Sequence, residues 1–333
     1  MRVAGCRVSE AVTVRAIAPF ATLDGAPLPG LERLEIRQPG AFEAACFVLE
    51  FAIGAVPGGA AWFAGLQGGV VTAGIGTGPA LVVGQVDNVA IRFDLGAAIL
   101  SGRDLAARLI DAEVDQTFSN LTASEVATGF AGEAGLAANV DATRTRIGQY
   151  YELAHAQTGL GLHSRHATRW DLLAALAVRE RFSLSVTGTT LNFTAPPAGA
   201  PMLLTYGRDL MTLGCDRAVA LASPKVTVRS WNPKSKAAFS SSAGSSGGTT
   251  LIRPNLTQGE AERVAAAAQA ALAAQAVRLQ ASMPGETSMA PGTPILLQGT
   301  QTALDGAYVV RSVERVIGGR IGFLQHFEAM RAA

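Results

Sequence analysis

The sequence predicts a mainly β protein of the α+β class in three parts, and three observations carry that reading. Residues 1–99 and 201–333 alternate apolar and polar residues in short runs broken by glycine and proline, the period-2 pattern of strands with two different faces. Between them, in 100–200, stretches with helical spacing alternate with strand-like ones. Hydroxyl residues followed three positions later by a carboxylate mark the helix starts. The hydroxyl accepts from an orphan backbone N–H, and the acid faces the positive end of the helix dipole.

In 1–99, Phe47, Leu49, Phe51 and Ile53 alternate with Val48, Glu50 and Ala52. Val12–Val14, Leu34–Ile36, Val70-Val71, Leu81–Val83 and Val89–Phe93 are further short strands, with turns at Pro27–Gly30, Pro39-Gly40 and Pro57–Gly59. This spacing predicts a sandwich or barrel. Asp87-Asn88 is expected as the tight hairpin turn between the last two strands. Gly74–Gly78 has the look of a phosphate loop. A nucleotide fingerprint needs a helix at the glycines, and here Pro79 and Leu81–Val83 follow, so a hairpin loop is expected instead.

The middle part opens with Ser101-Gly102-Arg103-Asp104 ahead of Leu105, Leu109 and Ala112. A second helix start, Thr122–Glu125, precedes Val126 and Phe130, and a third, Thr168–Asp171, leads into Leu172, Leu173, Leu176 and Ala177. Phe182, Leu184 and Val186 then alternate with serines, and Thr187-Gly188-Thr189 turns into Leu191 and Phe193. The third helix is expected to bury its leucines under this hairpin. Ala195–Gly199, with two prolines, ends the part.

From residue 201 strands resume at Met202–Leu204, Leu210–Leu213 and Val226–Trp231, with Val226 and Val228 on one face. Ser240–Thr250 is rich in Ser and Gly without periodicity and reads as a flexible loop within 234–250. Thr257–Glu260 starts the longest helix, expected over 257–283, Ala-rich, with Val264, Ala268, Leu272 and Leu279 in one stripe and Pro284-Gly285 as its stop. The C-terminal part is a meander of Ile295–Leu297, Tyr308–Val310, Val316-Ile317 and Ile321–Phe327, turning at Gly318-Gly319.

Composition narrows the function. A chain of 333 residues accommodates two or three domains. The net charge is +1 with both signs interspersed, and Lys225, Arg229 and Lys234 are too few for a nucleic-acid grip. Cys6, Cys46 and Cys215 are far apart and odd in number, which favours buried free thiols over disulfides or zinc. Residues 1–20 lack a signal-peptide pattern, and Val264–Val277 falls short of a membrane span, so synthesis in the cytoplasm and no stable membrane insertion are expected.

No catalytic constellation emerges. His155, His163 and His166 lie close in sequence but lack an i,i+4 pair with glutamate, Gly159 and Gly161 break any aligning helix, and His326 is remote. Asp111 with Asp115, and Asp87 with Asp94, are paired carboxylates that nothing assigns to a cleft. Ser245 and Ser246 sit between glycines without the strand–turn–helix context of a nucleophile elbow. No catalytic, metal or cofactor site is predicted.

Gly102-Arg103-Asp104-Leu105, then Gly148-Gln149-Tyr150-Tyr151, then Thr168-Arg169-Trp170-Asp171-Leu172-Leu173 before a hairpin resemble the tail hub proteins of contractile phages. So does Gly306–Val310 followed by Gly322-Phe323. That family, late control protein D, is similar to the hub half of type VI secretion VgrG spike proteins, and the resemblance runs from about Leu81 to Glu328. It implies two tube-like antiparallel β-barrels, 1–99 and 201–333, flanking the smaller α+β part. It also implies a homotrimeric baseplate hub, in the virion tail, joining a hexameric tail tube to a trimeric spike. Tube, spike, other baseplate proteins and the tape measure protein would be partners, with no catalysis. The alternatives are a tail-tip peptidoglycan hydrolase and a spike protein carrying its own needle. Because the chain ends at Ala333, directly after the meander, the spike is expected to be a separate polypeptide.

Overall fold

The computed structural model describes residues 18–332 except 41, 77, 115–117, 119–120, 145, 148–167, 197–198, 219–223, 233–234, 255 and 320. The expected strand at Val12–Val14 and the Gly148–Tyr151 motif therefore lie outside the described residues.

The first flank runs β1 (Pro19–Leu23), β2 (Ala26–Pro27), β3 (Leu31–Gln38), β4 (Cys46–Ala52), helix α1 (Gly59–Ala64), β5 (Val70–Ile75), β6 (Ala80–Arg92) and β7 (Ala97–Asp104). Alternation buries Leu34, Ile36, Phe47, Leu49, Phe51 and Leu100 in one core, which Phe63 of α1 joins. Asp87-Asn88 does not turn the chain. Strand β6 runs through it with a bulge between Val86 and Asn88 opposite β7, and the reversal comes at Phe93–Gly96. The bulge accommodates the polar pair because Asp87 is held by Arg103 from β7. Strands β5 and β6 pair antiparallel, with Gly74 opposite Ala80, so the glycine-rich stretch lies at a hairpin end as expected.

Ser101–Asp104 also departs from expectation: it is strand, the end of β7, which crosses residue 100. The helix that follows, α2 (Ala107–Ile110), has no side-chain cap of its own. The Asp104 carboxylate instead accepts from the Ala106 and Ala45 backbone N–H groups. Spacing alone cannot distinguish a cap from a strand-end carboxylate used this way.

The middle part contains β8 (Leu121–Thr122), α3 (Ala123–Glu133), β9 (Ala137–Val140), β10 (Arg146–Ile147), α4 (Arg169–Glu180), β11 (Ser183–Thr187) and β12 (Thr190–Thr194). Thr122 and Glu125 form a reciprocal capping box on α3, and Thr168 accepts from the Asp171 N–H on α4. Leu172, Leu173 and Leu176 are buried with Leu184, Leu191 and Phe193, the helix-under-hairpin packing that the sequence predicts. Strand β12 pairs β11 on one side and, in parallel, β9 on the other.

The second flank contains β13 (Met202–Thr205), β14 (Thr212–Arg217), β15 (Pro224–Asn232), β16 (Ala237–Ala243) and β17 (Ser246–Ile252). Helix α5 (Gln258–Ala274), β18 (Val277–Pro284), β19 (Pro294–Gln298), β20 (Gly306–Gly318) and β21 (Gly322–Arg331) complete it. The expected flexible loop is mostly strand: β16 and β17 flank β15, the latter in parallel. Small and hydroxyl side chains give no hydrophobic period, yet the backbone ladder needs none. Helix α5 ends at Ala274, short of 283. Val277, Leu279, Ala281 and Met283 are buried while Arg278 and Gln280 are exposed, so this stretch follows the strand period as β18.

Thirteen strands form one sheet, in the order β14-β18-β21-β20-β3-β4-β7-β6-β5-β1-β2, with β19 and β13 branching from β20. The β20–β3 pairing, Val313 opposite Gln38 through Gly318 opposite Arg33, joins the flanks. No closed ring of strands forms in either flank among the described residues; instead both contribute to one mainly antiparallel sheet. No described helix is long and apolar enough to cross a membrane.

Candidate assembly surfaces

The motif at the end of β7 ties the middle part to the first flank. A Cβ on Gly102 would come 1.9 Å from the Gln85 carbonyl oxygen and 2.8 Å from Phe47 Cζ, so only glycine fits. Arg103 uses its fork twice. Nε and Nη2 donate to Asp87 at 2.7 and 3.0 Å, and Nη1 and Nη2 donate to Asp111 at 3.0 Å each. These bonds hold the guanidinium well above its ordinary pKa and Asp111 below the usual carboxylate range. Asp104 points to the buried side, and desolvation pushes its pKa up to about 6 although two backbone N–H groups and Arg103 oppose the rise. Leu105 continues into the middle core. From α4, Trp170 Nε1 donates to the Phe42 carbonyl at 2.8 Å, and Arg169 pairs with Glu133 at 2.8 Å while lying over the Phe130 ring.

A second polar cluster lies beneath the β3–β20 junction. Arg315 is 2% exposed. Its Nη1 donates to Gln38 Oε1 and Nη2 to the Met289 carbonyl, while Nε has no partner among the described residues. Burial pushes its pKa down to about 10. Gln325, fully buried, accepts from the Glu286 N–H and donates to Met289 Sδ. Sequence reading missed Arg315, although a signal existed: it shares strand parity with the buried Val313 and Ile317.

None of these groups converges on a reaction. Among the described residues no His, Cys, Asp or Glu cluster is arranged to hold a metal ion. His155, His163, His166 and Asp115 lie outside the described residues. His326, on β21, stands opposite Glu314 and Ser282 in an open groove of about 510 Å³ that also exposes Arg37, Gln280 and Glu328. Asp94 lies in the β6–β7 turn, away from the use Asp87 finds with Arg103. Ser245 follows Gly244 between β16 and β17 and Ser246 opens β17; a Cβ on Gly244 would sit 2.0 Å from the Pro224 carbonyl oxygen. Cys46 is exposed and Cys215 half-buried, so neither is the fully buried thiol expected.

The described surface also exposes apolar side chains in rows. Leu203, Leu296 and Ala307 stand in register across β13, β19 and β20, all exposed, and Val309 lies opposite Pro294 and Met330. Phe93 and Leu95 project from the β6–β7 turn.

No protein-family model matches the chain, and no curated protein matches it. Solved structures do. The 43 kDa tail protein of prophage MuSo2 from Shewanella oneidensis aligns with a TM-score of 0.71 at 18% identity, covering 94% of this chain and 96% of its own. A tail protein from Neisseria meningitidis MC58 aligns at 0.73 and 14% identity, covering 95% and 97%. The E. coli c3393 protein, a type VI secretion component described as similar to T4 tail proteins gp27 and gp5, aligns at 0.56 and 11% identity, covering 94% and 77%. The fold of this chain is thus the fold of these tail and secretion proteins over nearly its whole length.

Proposed function

We propose that this chain is a structural hub of a phage tail or related contractile injection system, and that three copies close into a ring joining a sixfold tube to a threefold spike. The observation that carries the reading is the β3–β20 ladder, which fuses two β-rich flanks into one sheet within a single chain. Each flank is built on a long bulged hairpin, β6–β7 and β20–β21, with register shifts at Val86/Asn88 and Val310/Ser312. In this reading the flanks are two versions of one tube-like β unit, so three chains present six similar faces to the tube. Heterologous contacts repeated around a closed ring satisfy that symmetry. The α+β part, 100–200, lies toward the spike, and the exposed row at Leu203, Leu296 and Val309 is covered by a neighbour. Tail tube, spike, other baseplate proteins and the tape measure protein are the partners, the location is the virion tail, and the chain performs no catalysis.

The test is to mix the purified chain with the spike protein of its own machine and measure mass by light scattering. Three hub chains per spike trimer, with interfaces of about 2,000 Å² or more per pair, are expected. One hub chain per spike trimer, or cell-wall clearing by the purified protein, would overturn the reading.

A further inference from the structure

Strands β15, β16 and β17 form a sheet of their own, apart from the thirteen-stranded one. One face is covered: Val226, Val228 and Ser230 turn inward, and Val228 packs with Ala261 and Ala265 of α5. The other face has nothing over it among the described residues. Lys225, Arg229 and Trp231 project there from β15, flanked by Ser240 and Ser242 of β16 and by Ile252 of β17. Register fixes this grouping. Arg229 stands between Ser240 and Ile252, and Thr227 Oγ1 meets Ser242 Oγ at 2.8 Å. Trp231 is 56% exposed and Ile252 75% exposed.

The charge of this module is one-sided. Between Arg217 and Glu260 the chain carries Lys225, Arg229, Lys234, Lys236 and Arg253 and not a single carboxylate. The whole chain is only +1, so the remainder is net negative. Lys236 and Arg253 are exposed, and none of Lys225, Arg229, Lys236 and Arg253 forms an ion pair among the described residues. A basic face with two apolar anchors is complementary to an acidic surface that also carries apolar side chains.

We propose that this open sheet face docks an acidic segment of a partner protein, its carboxylates meeting Lys225 and Arg229 while its apolar side chains cover Trp231 and Ile252. Trp and Arg are the residue types that dominate protein–protein contacts when buried at their centre. A nucleic-acid strand fits the face less well. One aromatic gives no platform for successive bases, and Ile252 does nothing for phosphates. The assignment stands independently of the ring.

Trp231 supplies the readout, because Trp170 is buried and Trp62 half-buried. The full chain is titrated with poly-L-glutamate, with an oligothymidylate and with phosphatidylglycerol vesicles, following tryptophan emission. Expected is a blue shift with poly-L-glutamate that weakens with salt and vanishes in Trp231→Phe. Lys225→Glu with Arg229→Glu should weaken binding roughly tenfold or more at unchanged circular dichroism, and Trp231→Ser should weaken it too. Absence of binding, equal binding by the charge-reversed variant, or tighter binding of the oligonucleotide or vesicles overturns the proposal. So does a blue shift produced by protein concentration alone, which would make the face a contact between copies of this chain.

Discussion

Arg103 and Asp104 are neighbours on β7 that point to opposite sides of it, and each ties a different element to the strand. Arg103 clamps the β6 bulge and the end of α2 through two carboxylates, whereas Asp104 holds the backbone before β4 and before α2. Because Asp104 titrates at about 6 when folded, above the ordinary 3.8, the folded state binds its proton more tightly than the unfolded chain does. Its contribution to stability is therefore complete below about pH 4 and lost as pH rises through about 6. Asp104→Asn, which cannot ionise, should flatten this dependence. Denaturant midpoints at about pH 5 and pH 7 should show the wild type gaining on the variant by about 1 kcal/mol upon acidification. Parallel slopes would mean that the carboxyl is solvated.

Among the elements, the helices with hydroxyl–acid starts were legible at their N-termini because the signal is local. Thr257 and Glu260 form the capping box on α5. Thr257→Ala should cost about 1 kcal/mol and speed amide exchange in the first turn of that helix alone. In α4 the leucine stripe meets the hairpin that follows it in sequence, and Leu173 is fully buried there. Leu173→Ala should destabilise by about 2–5 kcal/mol, read from the melting midpoint. An unchanged midpoint would place that helix face in solvent. The C-terminal limit of α5 and the strands β16 and β17 were not legible, for two different reasons. In 275–283 two periods compete and the β14 and β21 neighbours decide, while in 237–252 the stabilising bonds are backbone bonds that carry no side-chain signature.

At the scale of the whole molecule, the β3–β20 ladder makes the two flanks share one sheet, with Arg315 beneath it. Replacing Arg315 by Ala leaves Gln38 and the Met289 carbonyl without their donor and opens a cavity, costing about 2–4 kcal/mol. The wild-type flanks should unfold together, and Arg315→Ala should split calorimetric melting into two transitions. A single transition in the variant would show that the ladder holds without the arginine. The sequence by itself determined the mainly β character, the capped starts of α3, α4 and α5, and the helix-under-hairpin unit, because propensity, capping and periodicity act over a few neighbouring residues. Only the tertiary structure decided that Asp87 and Asp111 share Arg103, that Arg315 is buried, and that residues 31–38 pair with 306–318. Those contacts join positions far apart in the chain, where no local period constrains which carboxylate meets which cation or which strand edge meets which.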